Sequence, residues 1–276
     1  MILQNLYNRP QDFILNHKHY FNNSLLFAGL SKETKTYRYW DSSKSANHAV
    51  LTNPTGTGYF PQYRWKFSNY LKRWILDYDI ISGSTVGNDK TITRYSLPQC
   101  PLWSCCFWFY PRTAGNTNYG RVFANDAATN LMNANNGMTA FALTINSSTV
   151  WSGITFTANR WTHCAFIGNG SNILTYYNGI LSRVDTYRTW ASGILYIGNY
   201  AANPRSIDGS LADFLFYKRA LTANEVFQLS RPNNSMLSGL IIPFQRKPYF
   251  LTRQSTVSNT RRFSVINSGA IVGVGV

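Results

Sequence analysis

Apolar and aromatic positions along the chain fall in short runs separated by Asn, Gly, Ser and Thr. The clearest are Trp-Ser-Cys-Cys-Phe-Trp-Phe-Tyr-Pro (103–111), Trp-Thr-His-Cys-Ala-Phe-Ile (161–167), Ile-Leu-Thr-Tyr-Tyr (173–177), Ile-Leu-Ser-Arg-Val (180–184), Gly-Ile-Leu-Tyr-Ile (193–197) and Asp-Phe-Leu-Phe-Tyr (213–217). Their aromatic and β-branched content predicts strands. Asn169-Gly170-Ser171-Asn172 predicts a short loop between the second and third runs. Asn178-Gly179 predicts a type I′ hairpin turn, because both residues tolerate positive φ and the turn's twist matches that of its strands. After Leu221, Thr222-Ala223-Asn224-Glu225 fits a capping box, in which Thr222 accepts from the Glu225 amide and the Glu225 carboxylate reaches back to the Thr222 amide. The resulting helix is short, since Pro232 follows Leu229 closely.

Strict alternation within 103–110 puts Trp103, Cys105, Phe107 and Phe109 on one face and Ser104, Cys106, Trp108 and Tyr110 on the other. The first set is the expected core. Strand, three-stranded meander, strand, and strand followed by a capped helix is an order that resembles the laminin G-like / concanavalin A-like lectin (LamG) jelly roll. Further upstream, Trp40-Asp41-Ser42-Ser43-Lys44-Ser45-Ala46-Asn47-His48-Ala49-Val50-Leu51 is similar to the opening of such domains in phage and bacterial proteins. Trp65-Lys66-Phe67-Ser68-Asn69-Tyr70-Leu71 takes the place of the family's strand and turn, with Ser-Asn where the family has Asp-Gly. The resemblance implies an all-β, two-sheet antiparallel sandwich with one short helix over residues 24–230. Residues 1–23 and 231–276 are then extended N- and C-terminal arms.

Composition agrees with two packed sheets joined by uncharged loops: aromatic residues make up 16% of the 276-residue chain and charged residues only 13%. No apolar run is long enough to span a bilayer, and the N-terminal residues lack the pattern of a secretory signal. Cys100, Cys105, Cys106 and Cys164 form no metal or redox spacing and read as reduced, buried thiols, with a Cys105–Cys164 bridge as the alternative. The net charge is +15, and no acidic residue follows Glu225. Arg231, Arg246, Lys247, Arg253, Arg261 and Arg262 therefore form a basic C-terminal set suited to an anionic partner surface. The apolar, glycine-spaced end at 267–276 would be an association hazard if left uncovered. Docking of both arms on neighbouring subunits is one expectation, and packing along their own sandwich is the other.

The chain offers little for catalysis. Its only glutamates are Glu33 and Glu225, and the acid-bearing strand that the resemblance implies for a glycosidase, Glu-x-Asp-x-x-Glu, is absent. Asp77 and Asp79 are the sole close acid pair, read as an exposed pair at a strand end. His17 and His19 read as arm surface, His163 as structural, and neither His48 nor His163 adjoins a nucleophile motif. No cofactor is expected except calcium, which laminin G-like and pentraxin-like relatives carry on rim loops. Asp126 and Asp208 are the candidate ligands, with ordinary Asx turns as the alternative. Candidate saccharide platforms are Trp108, Tyr110, Trp151 and Trp190; the alternative is that an arm covers them.

Three functional readings follow. An arm-bearing sandwich of this kind resembles the decoration, head-fibre or tail-associated proteins of tailed bacteriophages. That resemblance implies a non-enzymatic virion component made in the host cytoplasm. Its partners would be other shell subunits, in a homo-oligomer, and surface glycans, with no specific nucleic acid and no membrane. A stand-alone carbohydrate-binding module is the second reading, and a glycoside-acting enzyme is the third.

Overall fold

The computed structural model describes residues 13–15, 24–29, 38–39, 43, 49–52, 65–78, 90–93, 95–113, 120–135, 140–154, 156–200, 205–232 and 241–243. In chain order the strands are β1 (Phe13–Leu15), β2 (Leu25–Gly29), β3 (Arg38–Tyr39), β4 (Ala49–Thr52), β5 (Trp65–Ser68), β6 (Arg73–Tyr78), β7 (Lys90–Thr93), β8 (Trp103–Thr113) and β9 (Arg121–Asn125). They continue as β10 (Leu131–Asn135), β11 (Ala140–Ile145), β12 (Ser148–Ile154), β13 (Thr162–Gly168), β14 (Asn172–Tyr177), β15 (Ile180–Thr186), β16 (Leu195–Ile197), β17 (Asp208–Tyr217) and β18 (Ile241–Pro243). The helix α1 (Ala223–Leu229) follows β17.

These strands build two antiparallel sheets packed as a sandwich, as the sequence predicts. One runs β15-β14-β13-β8-β17-β6-β5, with β2 paired to the far half of β17; the other runs β12-β11-β10-β9-β16-β7-β4-β3. A separate two-stranded ribbon pairs β1 with β18, with Ile14 opposite Ile242.

The inner residues of β8 behave as their alternation predicts. Trp103, Cys105, Phe107 and Phe109 all lie in the core between the sheets. Phe107 stacks on Phe214 with ring centroids 5.3 Å apart, and Phe109 meets Phe141 and Phe156 edge-on. Each such side chain contributes about 1.5–3 kcal/mol through burial, and the offset and edge-on ring geometries add to it. All four cysteines are buried and free, so the alternative of a Cys105–Cys164 bridge is not realised. Burial pushes the Cys105, Cys106 and Cys164 thiols up, which keeps them protonated and inert.

The outer face of this sheet is covered as well. Leu221, Val226 and Leu229 from α1 and the segment before it pack on Cys106, Ala165 and Tyr217. The helix starts with the expected capping box: Thr222 Oγ1 accepts from Glu225 N, and Glu225 accepts from Thr222 N. Glu225 is also held by Arg219 through bonds of 2.8 and 3.0 Å. Asn178 and Gly179 adopt φ values of 48° and 83°, the left-handed pair that the hairpin requires. A side chain at Gly179 would collide with Phe227 Cα and Ser230 Oγ, so this turn also seats the helix.

Removing the cap isolates its worth. Thr222→Ala is expected to lower unfolding free energy by about 1 kcal/mol, while Asn224→Ala, on the exposed side of α1, stays within about 0.5 kcal/mol. Urea denaturation of both variants, read as a midpoint shift at constant slope, checks this.

Candidate functional site

The outer cover of the helix-bearing sheet stops before Tyr110. At the α1 end Ser104 donates to Arg219 O at 2.7 Å and accepts from Leu221 N at 2.9 Å. Next along β8, Trp108 packs with Leu71, Ile75 and Ala212, with Trp161 at its margin. Tyr70 meets Trp108 edge-on at 6.3 Å, and His163 does so at 5.2 Å. Beyond that cluster a groove of about 520 Å³ opens across β8, β17, β6 and β5.

Two segments wall the groove. One is the β5–β6 turn, held by Leu71 N donating to Ser68 Oγ at 3.2 Å, with Lys72 at a φ of 55°. The turn forms with Ser-Asn in place of Asp-Gly because a hydroxyl and a left-handed lysine satisfy its backbone. It presents Phe67, Asn69 and Tyr70 to the groove, and Tyr70 is 54% exposed. The second wall is Asn159-Arg160-Trp161, anchored by Asn159 N donating to Pro111 O at 2.7 Å. Trp161 leans on Tyr110, with centroids 5.3 Å apart and planes at 49°.

The floor is polar and fixed. Tyr110, Ser210 and Asp77 lie opposite one another on β8, β17 and β6. Asp77 is 1% exposed, not the exposed strand-end residue expected from sequence, and Asp79 lies outside the described residues. Its Oδ1 accepts from Arg112 Nη1 and from Ser210 Oγ, both at 2.6 Å, and its Oδ2 is paired with Lys66 Nζ. Burial alone would raise this carboxyl, but bonds from Arg112, Lys66 and Ser210 outweigh it and hold Asp77 below the ordinary carboxylate value. Arg112 also donates to Asp208 Oδ1 at 2.8 Å and to Tyr78 O at 2.9 Å.

The structure disperses most of the predicted site residues. Trp108 occupies the outer face as expected, but at 2% exposure its ring is enclosed by Leu71, Ile75, Tyr70 and His163. Trp190, 1% exposed, lies in the inter-sheet core against Trp103, Phe123 and Phe216, which leaves no face for a saccharide. The cover in both cases comes from the sandwich itself. Trp151 is opposite Ala142 on β12, in the other sheet. Of Trp108, Tyr110 and Trp190, Tyr110 lines the groove.

Asp208 is the first residue of β17, not a loop ligand, and Arg112 occupies one of its oxygens. Asp126 sits in the exposed turn after β9, where Oδ1 accepts from the adjacent Ala127 N at 3.0 Å. No cluster of three or more metal-ligating side chains occurs among the described residues. Of the basic set, Arg231 lies over the Phe227 ring at 4.6 Å; Arg246, Lys247, Arg253, Arg261 and Arg262 lie outside the described residues.

A family model described as the concanavalin A-like lectin/glucanases superfamily, of laminin G type, matches residues 89–227, half of the chain. The chain belongs to that superfamily. The match begins after the Trp40–Leu51 and Trp65–Leu71 segments, yet β4 and β5 from those segments take places in the two sheets.

Among solved structures, domain 4 of an extracellular GH43 arabinanase from Geobacillus stearothermophilus, in complex with arabinotriose, superposes with a TM-score of 0.55 at 14% identity, covering 75% of this chain and 98% of that one. The binding domain of Paraclostridial Mosquitocidal Protein 1 gives 0.53 at 15% identity, covering 76% of this chain and 52% of that domain. The receptor-binding domain of botulinum neurotoxin D gives 0.50 at 14%, covering 76% and 52%. This chain thus spans about half of each toxin domain, and at such identities the likeness is one of fold. No curated protein matches the sequence. Among the described residues, no helix is long and apolar enough to cross a membrane.

The pH dependence of stability reports on the groove's support. His163 is buried against Trp108, and burial, with Arg73 nearby, lowers its pKa from 6.5 to about 3. The unfolded chain therefore binds a proton that the folded chain refuses, so stability is complete above pH 6.5 and declines toward pH 3, by about 1.4 kcal/mol per pH unit. Denaturant titrations between pH 7 and pH 4 are expected to show this slope, and His163→Phe to flatten it.

Proposed function

We propose that the chain is a non-enzymatic carbohydrate-binding module and that the groove over β8, β17, β6 and β5 receives the saccharide. The observation that carries this is the groove's lining: ring faces from Tyr70, Tyr110 and Trp161 beside the side-chain amides of Asn69 and Asn159. Aromatic faces stack on the apolar faces of pyranose or furanose rings, while amides and cations bond their hydroxyls. Lys66 and Arg160 add donors at the rim. Sharing the fold of an arabinanase domain solved with arabinotriose supports this reading by analogy.

Display on a virion is a narrower reading that depends on the basic arm, and among that arm's six basic residues Arg231 is the one described. The groove needs no such setting.

A glycan array followed by calorimetry on the best binder tests the proposal. Tyr70→Ala and Trp161→Ala are each expected to weaken binding about tenfold, equivalent to about 1.4 kcal/mol, and Tyr187→Ala, outside the groove, to leave it unchanged. A chain that binds nothing on the array, or binds equally well without either ring, overturns it. Release of reducing ends from a bound polysaccharide would overturn the non-enzymatic part.

A further inference from the structure

We propose that β15 is the surface through which two copies of this chain join, antiparallel, about a two-fold axis at Val184. β15 is the last strand of its sheet, seven residues long, with no strand on its outer side among the described residues. It carries apolar side chains in water: Ile180 is 71% exposed, Leu181 47% and Val184 53%. An unpaired edge of this length bearing apolar side chains is a template for another strand.

The charges on the strand identify that other strand as its own copy. Arg183 lies opposite Thr175 and Asp185 opposite Ile173, so both leave β15 on one face, while Val184, opposite Leu174, leaves on the other. Within one chain Arg183 Nε donates to Asp185 Oδ1 at 2.6 Å, and Asp185 Oδ2, buried at the sheet edge, has no donor among the described residues. In an antiparallel pair about a two-fold normal to the sheet, facing residues must share a face, so the register moves only in steps that centre on single residues. Centring on Arg183 sets arginine against arginine, and centring on Asp185 sets aspartate against aspartate. Centring on Val184 sets Arg183 against Asp185 twice and the two valines against each other. Opposite charges stabilise facing positions and like charges destabilise them, so this register is selected. The bulge between Thr175 and Tyr176 leaves Ser182 outside the ladder, and the stretch from Arg183 to Thr186 beyond it is regular.

The saccharide groove lies across β8, β17, β6 and β5, toward the other end of the strand order. Pairing through β15 leaves it open and gives a dimer two grooves.

Sedimentation velocity of the full chain over a concentration series tests the proposal. The wild-type chain is expected to dimerise reversibly, and Arg183→Asp and Asp185→Arg each to weaken the dimer at least tenfold. An equimolar mixture of these two variants is expected to restore the dimer, because each supplies the charges the other lacks. Val184→Cys is expected to give a disulfide-linked dimer on mild oxidation, and Thr186→Cys not to. A wild-type chain that stays monomeric overturns the proposal, including the case where its own apolar C-terminal residues 267–276 cover the edge. So do single variants that dimerise as the wild type does, a mixture that stays monomeric, or a Val184→Cys chain that fails to cross-link.

Discussion

The architecture depends on the burial of β8 and β17 on both faces. Sheets in a sandwich ordinarily bury one face and leave the other to water, which would give these strands a clean alternation. Here Trp103 to Phe109 on one side fill the gap between the sheets, and Ser104, Cys106 and Trp108 on the other are enclosed by α1 and by Tyr70, Leu71 and His163. A polar group in a strand buried on both sides is costly without a partner, and Ser104 has two, donating to Arg219 O and accepting from Leu221 N. These two hydrogen bonds tie the strand to the segment that launches the helix. The capping box and the Asn178-Gly179 turn then fix where the helix begins and what it rests on.

The groove is what remains where this second cover ends. Its rim is built by the β5–β6 turn and by residues 159–161, and its floor by Tyr110 and Ser210, with Asp77 buried beside Ser210 on the next strand. A buried carboxylate beneath an open cleft costs several kcal/mol unless it is paired and bonded. Lys66, Arg112 and Ser210 supply that pairing from three different strands, and Arg112 extends it to Asp208. The floor is thereby cross-linked across the sheet. Arg73 performs a similar task nearby, pairing with Asp213 at a bulge of β17 where φ is 49° and donating to Pro232 O.

Much of the sandwich is legible in the sequence because its strongest signals are local. Asn178-Gly179, Asn169 to Asn172 and Thr222 to Glu225 each specify their own backbone, and the apolar runs mark β8 and β13 to β17, whereas β9 to β12 lie between the first two runs and enter only with the structure. The groove has no such local signature. Tyr70, Tyr110 and Trp161 are far apart in the chain, and only the sheet order brings them together. Alternation assigns Trp108 and Tyr110 to one face of β8 correctly, but it cannot say that the cover closes over the first and stops short of the second. Trp190 sits among loop-forming residues in the sequence, yet its bridge to Cys100 carries it into the core. Asp77 reads as a surface acid until its partner Arg112, thirty-five residues on, is placed beside it. A tryptophan beside Asn159 and Arg160, and a tyrosine in a turn that lacks the family's Asp-Gly, were the available hints.

The same ion network sets the charge state of Asp77 beneath the groove. Hydrolysis of a glycosidic bond requires a carboxylic acid kept protonated near neutral pH, which means a raised pKa, together with a second carboxylate across the bond. Asp77 is driven the other way, because two cations and a hydroxyl bond its charged form. Glu225 is held low by Arg219 and the Thr222 amide, and it is occupied at the helix cap. Asp208 gives an oxygen to Arg112. Asp77 and Glu225 are thus held in their charged form, in the geometry of a rigid support beneath the groove and of a helix cap, which is the state that the proposed binding role needs.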